Sequence, residues 1–209
     1  MGQYTNKGLY NGYKKNNQER EKLDYYATPP QEVTNILTQM NLPLEGSLIL
    51  EPSCGGGHMI KGIVDYCSNC KIIATDIADR LLPEHVSKTI LTYESGLDFL
   101  SDDYPHEQAD YVIMNPPFST IEPFVIRSLE IAKKGVLMLG RTQFIESQGR
   151  YENIFKGNPP SHIYQYVDRI ACWKDGVPPV GASAQAYSWF YWDLQSDDNS
   201  TQFSWIRRI

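Results

Sequence analysis

The sequence predicts an α/β fold built on an open, mostly parallel sheet, and three observations carry that expectation. The apolar runs Leu48–Leu50, Ala109–Met114 and Gly135–Gly140 do not alternate with polar residues, which is the pattern of central parallel strands buried on both faces. Segments with helical spacing separate these runs, as parallel strands need a crossover between them. The first run leads into a glycine-rich loop and then a helical segment, an arrangement in which a cofactor lies close against the backbone.

Residues 1–22 are rich in Gly, Asn, Gln, Lys and Tyr without hydrophobic periodicity, and read as a flexible polar tail ahead of a single domain spanning 23–209. Asp24-Tyr25-Tyr26-Ala27-Thr28-Pro29-Pro30 then leads into a helix from about Gln31 to Met40. Thr28 is placed as its N-cap, Pro29 falls at a tolerated first-turn position, and Val33, Ile36, Leu37 and Met40 share one face. Ser47 to Leu50 is the first buried strand, followed by Glu51-Pro52-Ser53-Cys54-Gly55-Gly56-Gly57 and a helix over 58–66. Ile60 stands where a dinucleotide fingerprint needs a small residue, which disfavours NAD. Lys71 to Ile77 is the second strand, and Asp76 near its carboxyl end suits either the two hydroxyls of a ribose or a solvated strand end. A short strand around Lys88–Thr92, the segment Gly96-Leu97-Asp98-Phe99-Leu100 and a polar loop over 101–108 follow.

The run Ala109–Met114 stops at Asn115-Pro116-Pro117-Phe118, because paired prolines cannot continue a central strand. Asn-Pro-Pro is ordinary turn chemistry. At the carboxyl rim of a parallel sheet it also offers two carbonyl acceptors, from Asn115 and Pro116, beside a flat ring, a set suited to a planar group carrying an NH₂. A helix over 121–134 is expected to end in the cationic turn Lys133-Lys134-Gly135, with Gly135–Gly140 as the fifth strand. Beyond it, Arg141 and Arg150 suit either substrate phosphates or ion pairs with Glu146 and Glu152. Ser161–Ile170 and Ala184–Trp192 alternate as strands, and the aromatic stretch Tyr187-Ser188-Trp189-Phe190-Tyr191-Trp192 reads as sandwiched between layers. A Pro- and Gly-rich loop, Cys172 to Gly181, joins them.

With 209 residues and 41% hydrophobic content the chain has the composition of a globular protein. It has no run of 18 apolar residues and a polar amino terminus, so neither a membrane span nor a secretory signal is expected, and the location is read as cytoplasmic. Cys67 and Cys70 have C-x₂-C spacing, yet no second pair follows, and the four cysteines read as reduced thiols with no metal. A net charge of −6 argues against a nucleic-acid coat protein. The charge is uneven, however: residues 1–22 hold five basic and two acidic side chains, leaving 14 basic and 23 acidic on the rest.

Taken together, Glu51 to Gly57 and Asn115 to Phe118 resemble the two signature motifs of the S-adenosylmethionine-dependent N6-adenine methyltransferases, Glu-Pro-Ser/Ala-Cys-Gly-x-Gly and Asp/Asn/Ser-Pro-Pro-aromatic, in the family's order. Tyr26, Thr28 and Pro29 match a third, Tyr-x-Thr-Pro, ahead of the glycine motif. The C-terminal part also looks like the small methyltransferases of bacteriophages and prophages, so the resemblance covers about residues 24–193. It implies a Rossmann-like class I methyltransferase fold whose seven-stranded sheet is completed by an antiparallel C-terminal edge. It further implies that Tyr26, Thr28 and Pro29 serve the methionine end of the cofactor. Glu51, Pro52, Ser53, Gly55 and Gly57 would line it, with Asp76 and Ile77 at the ribose, Asp98 and Phe99 at the adenine, and Asn115 shared with the substrate.

The same resemblance makes Asn115, Pro116, Pro117 and Phe118 the catalytic set and adenine in DNA the substrate, flipped out of the duplex onto Phe118. Little of the chain is left for a separate target-recognition domain. The Asn-Pro-Pro-aromatic motif is shared with enzymes that methylate adenine in ribosomal RNA or a glutamine amide in protein, since each substrate has an NH₂ conjugated to a π system. A catalytically silent binding module with this fold is the reading from another class.

Overall fold

The computed structural model describes residues 25–80, 82, 92–106, 108–181 and 185–208. The polar tail and most of the strand expected around Lys88–Thr92 lie outside the described residues. The elements in order are β1 (Tyr26–Ala27), α1 (Pro30–Met40), β2 (Leu48–Glu51), α2 (His58–Tyr66), β3 (Lys71–Asp76), β4 (Thr92–Ser95), β5 (Ala109–Met114), α3 (Ile121–Ile131) and β6 (Ala132–Arg141). A 3₁₀ turn (Thr142–Ile145), a short helix α4 (Gln148–Arg150) and a π-helical turn (Tyr151–Phe155) come next. Four strands finish the chain: β7 (His162–Tyr166), β8 (Trp173–Lys174), β9 (Tyr187–Asp193) and β10 (Gln202–Ile206).

Among the described residues eight strands form one sheet in the order β10-β7-β9-β6-β5-β2-β3-β4, while β1 and β8 make a separate two-stranded ribbon. The continuous apolar runs do lie at its centre. On β5, Tyr111 and Ile113 point into the core beneath α1 and α2, and Val112 and Met114 into the core beneath α3. Ile49 and Leu50, and Leu137 and Met138, divide the same way. The two helices over the first core meet at backbone contact. A Cβ on Gly62 would stand 2.5 Å from the Pro30 carbonyl oxygen and 2.6 Å from the Val33 side chain, so only glycine fits there.

The α/β class is as the sequence predicts, and the differences are local. The sheet has eight strands rather than seven, because Gln202–Ile206 adds to β7 in parallel and becomes the edge. The antiparallel strand, β9, therefore lies inside the sheet, between β6 and β7. Lys133 and Lys134 open β6 instead of closing α3. Strand pairing wins over the cationic-turn signal here, since Lys134 Nζ reaches Asp110 at 3.2 Å and Ser47 Oγ at 3.4 Å across the amino ends of the strands. β7 covers less than the expected 161–170, and β9 begins and ends slightly later than expected. The aromatic stretch is sandwiched as expected: Trp189 and Phe190 have no exposed surface and Trp192 has 2%.

Candidate active site

Because β2, β3, β5 and β6 run parallel, their last residues, Glu51, Asp76, Met114 and Arg141, come out on one rim. β9 runs the other way, so its first residue, Tyr187, joins that rim opposite Arg141. The ribbon brings two further segments together, pairing Tyr26 with Lys174 and Ala27 with Trp173. Asp175 N–H donates to the Tyr25 carbonyl at 2.8 Å and fastens its end.

Asn115 is where these segments meet. Its Nδ2 donates to the Tyr26 carbonyl at 2.8 Å and to Thr28 Oγ1 at 3.1 Å, an orientation that leaves Oδ1 as the acceptor. Its own carbonyl accepts from Ser53 Oγ at 3.4 Å, tying it to the glycine loop. The expectation that Thr28 caps α1 is thereby corrected. The position before the helix is Pro29, which gives no side-chain cap, and the Thr28 hydroxyl is engaged by Asn115. Pro30 at the first helical position has no N–H to satisfy, which reduces the need for a cap.

The glycine loop is shaped by Asp76. Its Oδ2 accepts from Gly55 N–H at 2.7 Å and its Oδ1 from Ala78 N–H at 2.8 Å. Gly55 adopts φ +52°, and a Cβ there would lie 2.6 Å from the Tyr25 ring. Ile77 stands 37% exposed beside this turn, and the Asp76 carbonyl accepts from Leu97 N–H at 3.1 Å, drawing the 97–100 turn to the same rim. Within that turn Asp98 is half-buried and accepts from Leu100 N–H. Phe99 departs from its expected place. It is 1% exposed and packs on Tyr104 and Phe124, with Arg127 over its ring, as a core residue of the α3 side.

Glu51 is 2% exposed, and its Oε2 has no hydrogen-bond partner among the described residues. Burial, and then the neighbouring Asp76 carboxylate, push its carboxyl well above the usual carboxylate range. The folded protein thus holds this proton more tightly than the unfolded chain, and stability falls as pH rises from the unfolded value towards the folded one. Replacing Glu51 by Gln is expected to raise the denaturation midpoint of the ligand-free protein near pH 7–8. The gain should shrink to nothing as pH falls to about 4.5, at up to about 1.4 kcal/mol per pH unit. Urea melts of both proteins across this range test it, and a gain independent of pH would contradict it.

Sequence reasoning missed several neighbours of the site. Tyr25 lies against Gly55 and Gly56, with Arg80 4.3 Å over its ring, and His58 meets Trp173 edge-on at 5.6 Å. Nothing in their spacing announces them, because the ribbon brings them together across more than a hundred residues. Phe118 is flanked by Tyr26 at 6.0 Å and Tyr187 at 6.3 Å. Cys172 is buried beside Tyr187, Asn115 and Arg141, and burial raises its thiol to about 12. Of the two arginines open to phosphate or ion-pair roles, Arg150 pairs with neither Glu146 nor Glu152 among the described residues, and Glu152 pairs with Lys156. The Arg150 guanidinium donates to the carbonyls of Gln143, Phe144 and Glu146 at 3.3, 3.3 and 2.8 Å and stitches the turn after β6.

No helix among the described residues is long and apolar enough to cross a membrane. No protein-family model matches the chain, and no curated protein matches it in sequence. Solved structures do match. The methyltransferase subunit of a type I restriction-modification system from Streptococcus thermophilus aligns with a TM-score of 0.63 and 10% identity over 87% of this chain and 47% of that one. The present chain therefore spans about half of that subunit. A candidate RNA methyltransferase from Pyrococcus horikoshii aligns at 0.55 and 16% identity, covering 88% and 96% of the two chains. An S-adenosylmethionine-dependent O-methyltransferase from Thermotoga maritima aligns at 0.51 and 12%, covering 83% and 69%. Strand order and these likenesses together establish the chain's fold as the Rossmann-like fold of the S-adenosylmethionine-dependent methyltransferases.

Proposed function

We propose that the protein transfers a methyl group from S-adenosylmethionine to the N6 amino group of adenine in DNA. The observation that carries this reading is the seat of Asn115. Its amide is held by Tyr26 and Thr28 on one side and its carbonyl by Ser53 on the other, so that the three motif segments converge beside the Phe118 ring.

The residues fit the cofactor. Asp76 and Ile77 at the end of β3 suit a ribose, and the Gly55 and Gly56 backbone admits close approach. The unpartnered Glu51 oxygen beneath that loop suits a cationic group. When bound, S-adenosylmethionine supplies a sulfonium methyl that the amino nitrogen takes in a single displacement, the C–S electron pair leaving with sulfur. The chain's own contribution is to the nitrogen, whose lone pair is delocalised into the ring and poorly nucleophilic. Asn115 Oδ1 and the Pro116 carbonyl accept hydrogen bonds from its two N–H groups, draw it towards tetrahedral geometry and hold it in place before the bond forms. Pro117 fixes the turn that aims these acceptors, and Phe118 offers the flipped base a face to stack on. Once methylated, the cationic nitrogen is strongly acidic and gives one proton to water, so no general base is required.

Asp76→Ala is expected to weaken cofactor binding about tenfold or more by calorimetry, because it removes a ribose acceptor and also frees Gly55 N–H. Unchanged affinity would take Asp76 out of the site. The substrate is tested by incubating the protein with methyl-labelled S-adenosylmethionine and unmethylated double-stranded DNA, then digesting to nucleosides for mass analysis. Labelled N6-methyladenine supports the reading. Label in RNA or in a polypeptide amide instead of DNA refutes the choice of substrate, and absence of cofactor binding refutes the enzyme.

A further inference from the structure

Arg141 ends β6 on the same rim as Asn115, and its surroundings match neither role that the sequence leaves open to it. Among the described residues it pairs with neither Glu146 nor Glu152. Instead its guanidinium carbon lies 4.2 Å above the centroid of the Phe118 ring. Nε is buried and has no hydrogen-bond partner among the described residues. Tyr187 and Cys172 close the same corner: burial raises the Tyr187 hydroxyl first, the adjoining Cys172 raises it further, and Arg141 opposes both.

A guanidinium is a flat, delocalised plane that stacks on aromatic faces much as a heterocycle does. One face of the ring on which the substrate base would stack is thus already covered by a planar cation of this chain. A phosphate clamp would extend into solvent and would not leave its Nε–H sealed and unfilled. Guanidinium–ring and base–ring stacks are of comparable strength, so exchanging one for the other is close to balanced. The unfilled donor then decides the direction, because an incoming ring that brings an acceptor removes the cost of a buried, unpaired N–H.

We propose that Arg141 holds the place of the substrate base on Phe118 in the free protein and, displaced by that base, turns its Nε–H onto a ring-nitrogen acceptor of it. Arg141 is then the residue that admits a flat heterocycle with an acceptor edge and positions it for Asn115. The inference rests on the nucleobase reading of the site.

Two measurements test it. In the first, the wild type, Arg141→Lys and Arg141→Met are compared on unmethylated bacterial DNA at several salt concentrations. Both variants should lose about thirtyfold or more in kcat, with KM for DNA unchanged or lower and its salt dependence unaltered. A risen KM with preserved kcat and a salt slope reduced by about one would identify a phosphate contact and overturn the proposal. Recovery of the wild-type rate by lysine would overturn it too, since lysine keeps the charge but not the plane. In the second, the Nε–H resonance of Arg141, identified by its loss in Arg141→Lys, should sit upfield in the free protein under the Phe118 ring current. It should move downfield on saturation with an oligodeoxyadenylate, and a signal unmoved by the bound oligonucleotide would sink the idea. Failure of the underlying reading looks different. The wild type itself would label RNA or polypeptide rather than DNA, or would not bind the oligonucleotide, and the base slot would fall with it.

Discussion

Asn115→Ala is expected to lose roughly a hundredfold to a thousandfold in the rate of methyl transfer, the cost of removing one preorganised acceptor from beside the reacting nitrogen. Cofactor affinity should change by much less. The variant leaves the Tyr26 carbonyl and the Thr28 hydroxyl without their shared donor, but β1 keeps its pairing with β8 and the Asp175 N–H on the Tyr25 carbonyl. The glycine loop, held by Asp76, is untouched. Single-turnover transfer of label and titration calorimetry separate the two effects. An equal collapse of binding and transfer would show that Asn115 builds the cofactor site rather than acting on the amino group.

Trp189→Ala should cost about 3–5 kcal/mol of stability, the usual range for removing a large buried aromatic side chain. Trp189 has no exposed surface and lies in the interior strand β9, between β6 and β7. Its Nε1–H donates to the Tyr166 hydroxyl at 2.8 Å, and that hydroxyl donates in turn to the Glu32 carbonyl at 3.4 Å. The substitution therefore opens a cavity and removes a donor from a buried hydroxyl. Urea denaturation followed by circular dichroism should show a lower midpoint with the slope preserved, and Trp189→Phe should recover much of the loss. A loss below about 1 kcal/mol for the alanine variant would mean that the strand is not packed as described.

How much could be read from the sequence depended on range. The central strands were legible because a stretch such as Tyr111-Val112-Ile113-Met114 must be buried on both faces, whatever its neighbours. The glycine loop and Asn115-Pro116-Pro117-Phe118 were legible because their backbone chemistry is local. The helix–strand boundary at Lys133 and Lys134 was not, since both residues satisfy a helix end, and only the distant Asp110 and Ser47 settle the matter. Phe99 was misplaced because a ring beside a motif reads the same whether it faces a ligand or a core. β10 was missed for a related reason. Phe203 and Trp205 are 54% and 63% exposed, so the strand lacks an apolar face that would betray it, and only Ile206 reaches the core. The ribbon of β1 and β8 escaped notice as two residues on each side, too short for any periodic signal.

The edge strand β10 also bears on the rim, through α1. Trp205 and the two residues that follow the strand hold α1 through three contacts: Asn35 Nδ2 to the Arg207 carbonyl at 2.7 Å, Gln39 Nε2 to the Trp205 carbonyl at 3.3 Å, and Arg208 to Glu32 at 2.7 Å. The first of these spans 172 positions of sequence. Helix α1 follows directly on Tyr26 and Thr28, the segment that seats Asn115. Helix α1 is thus held twice, by α2 at Gly62 and by the β10 end across more than 170 positions, and a loop that long closes slowly. The seat of Asn115 therefore depends on a contact made far along the sequence: loosening the β10 end loosens α1, and with it the Tyr26–Thr28 segment that leads into α1.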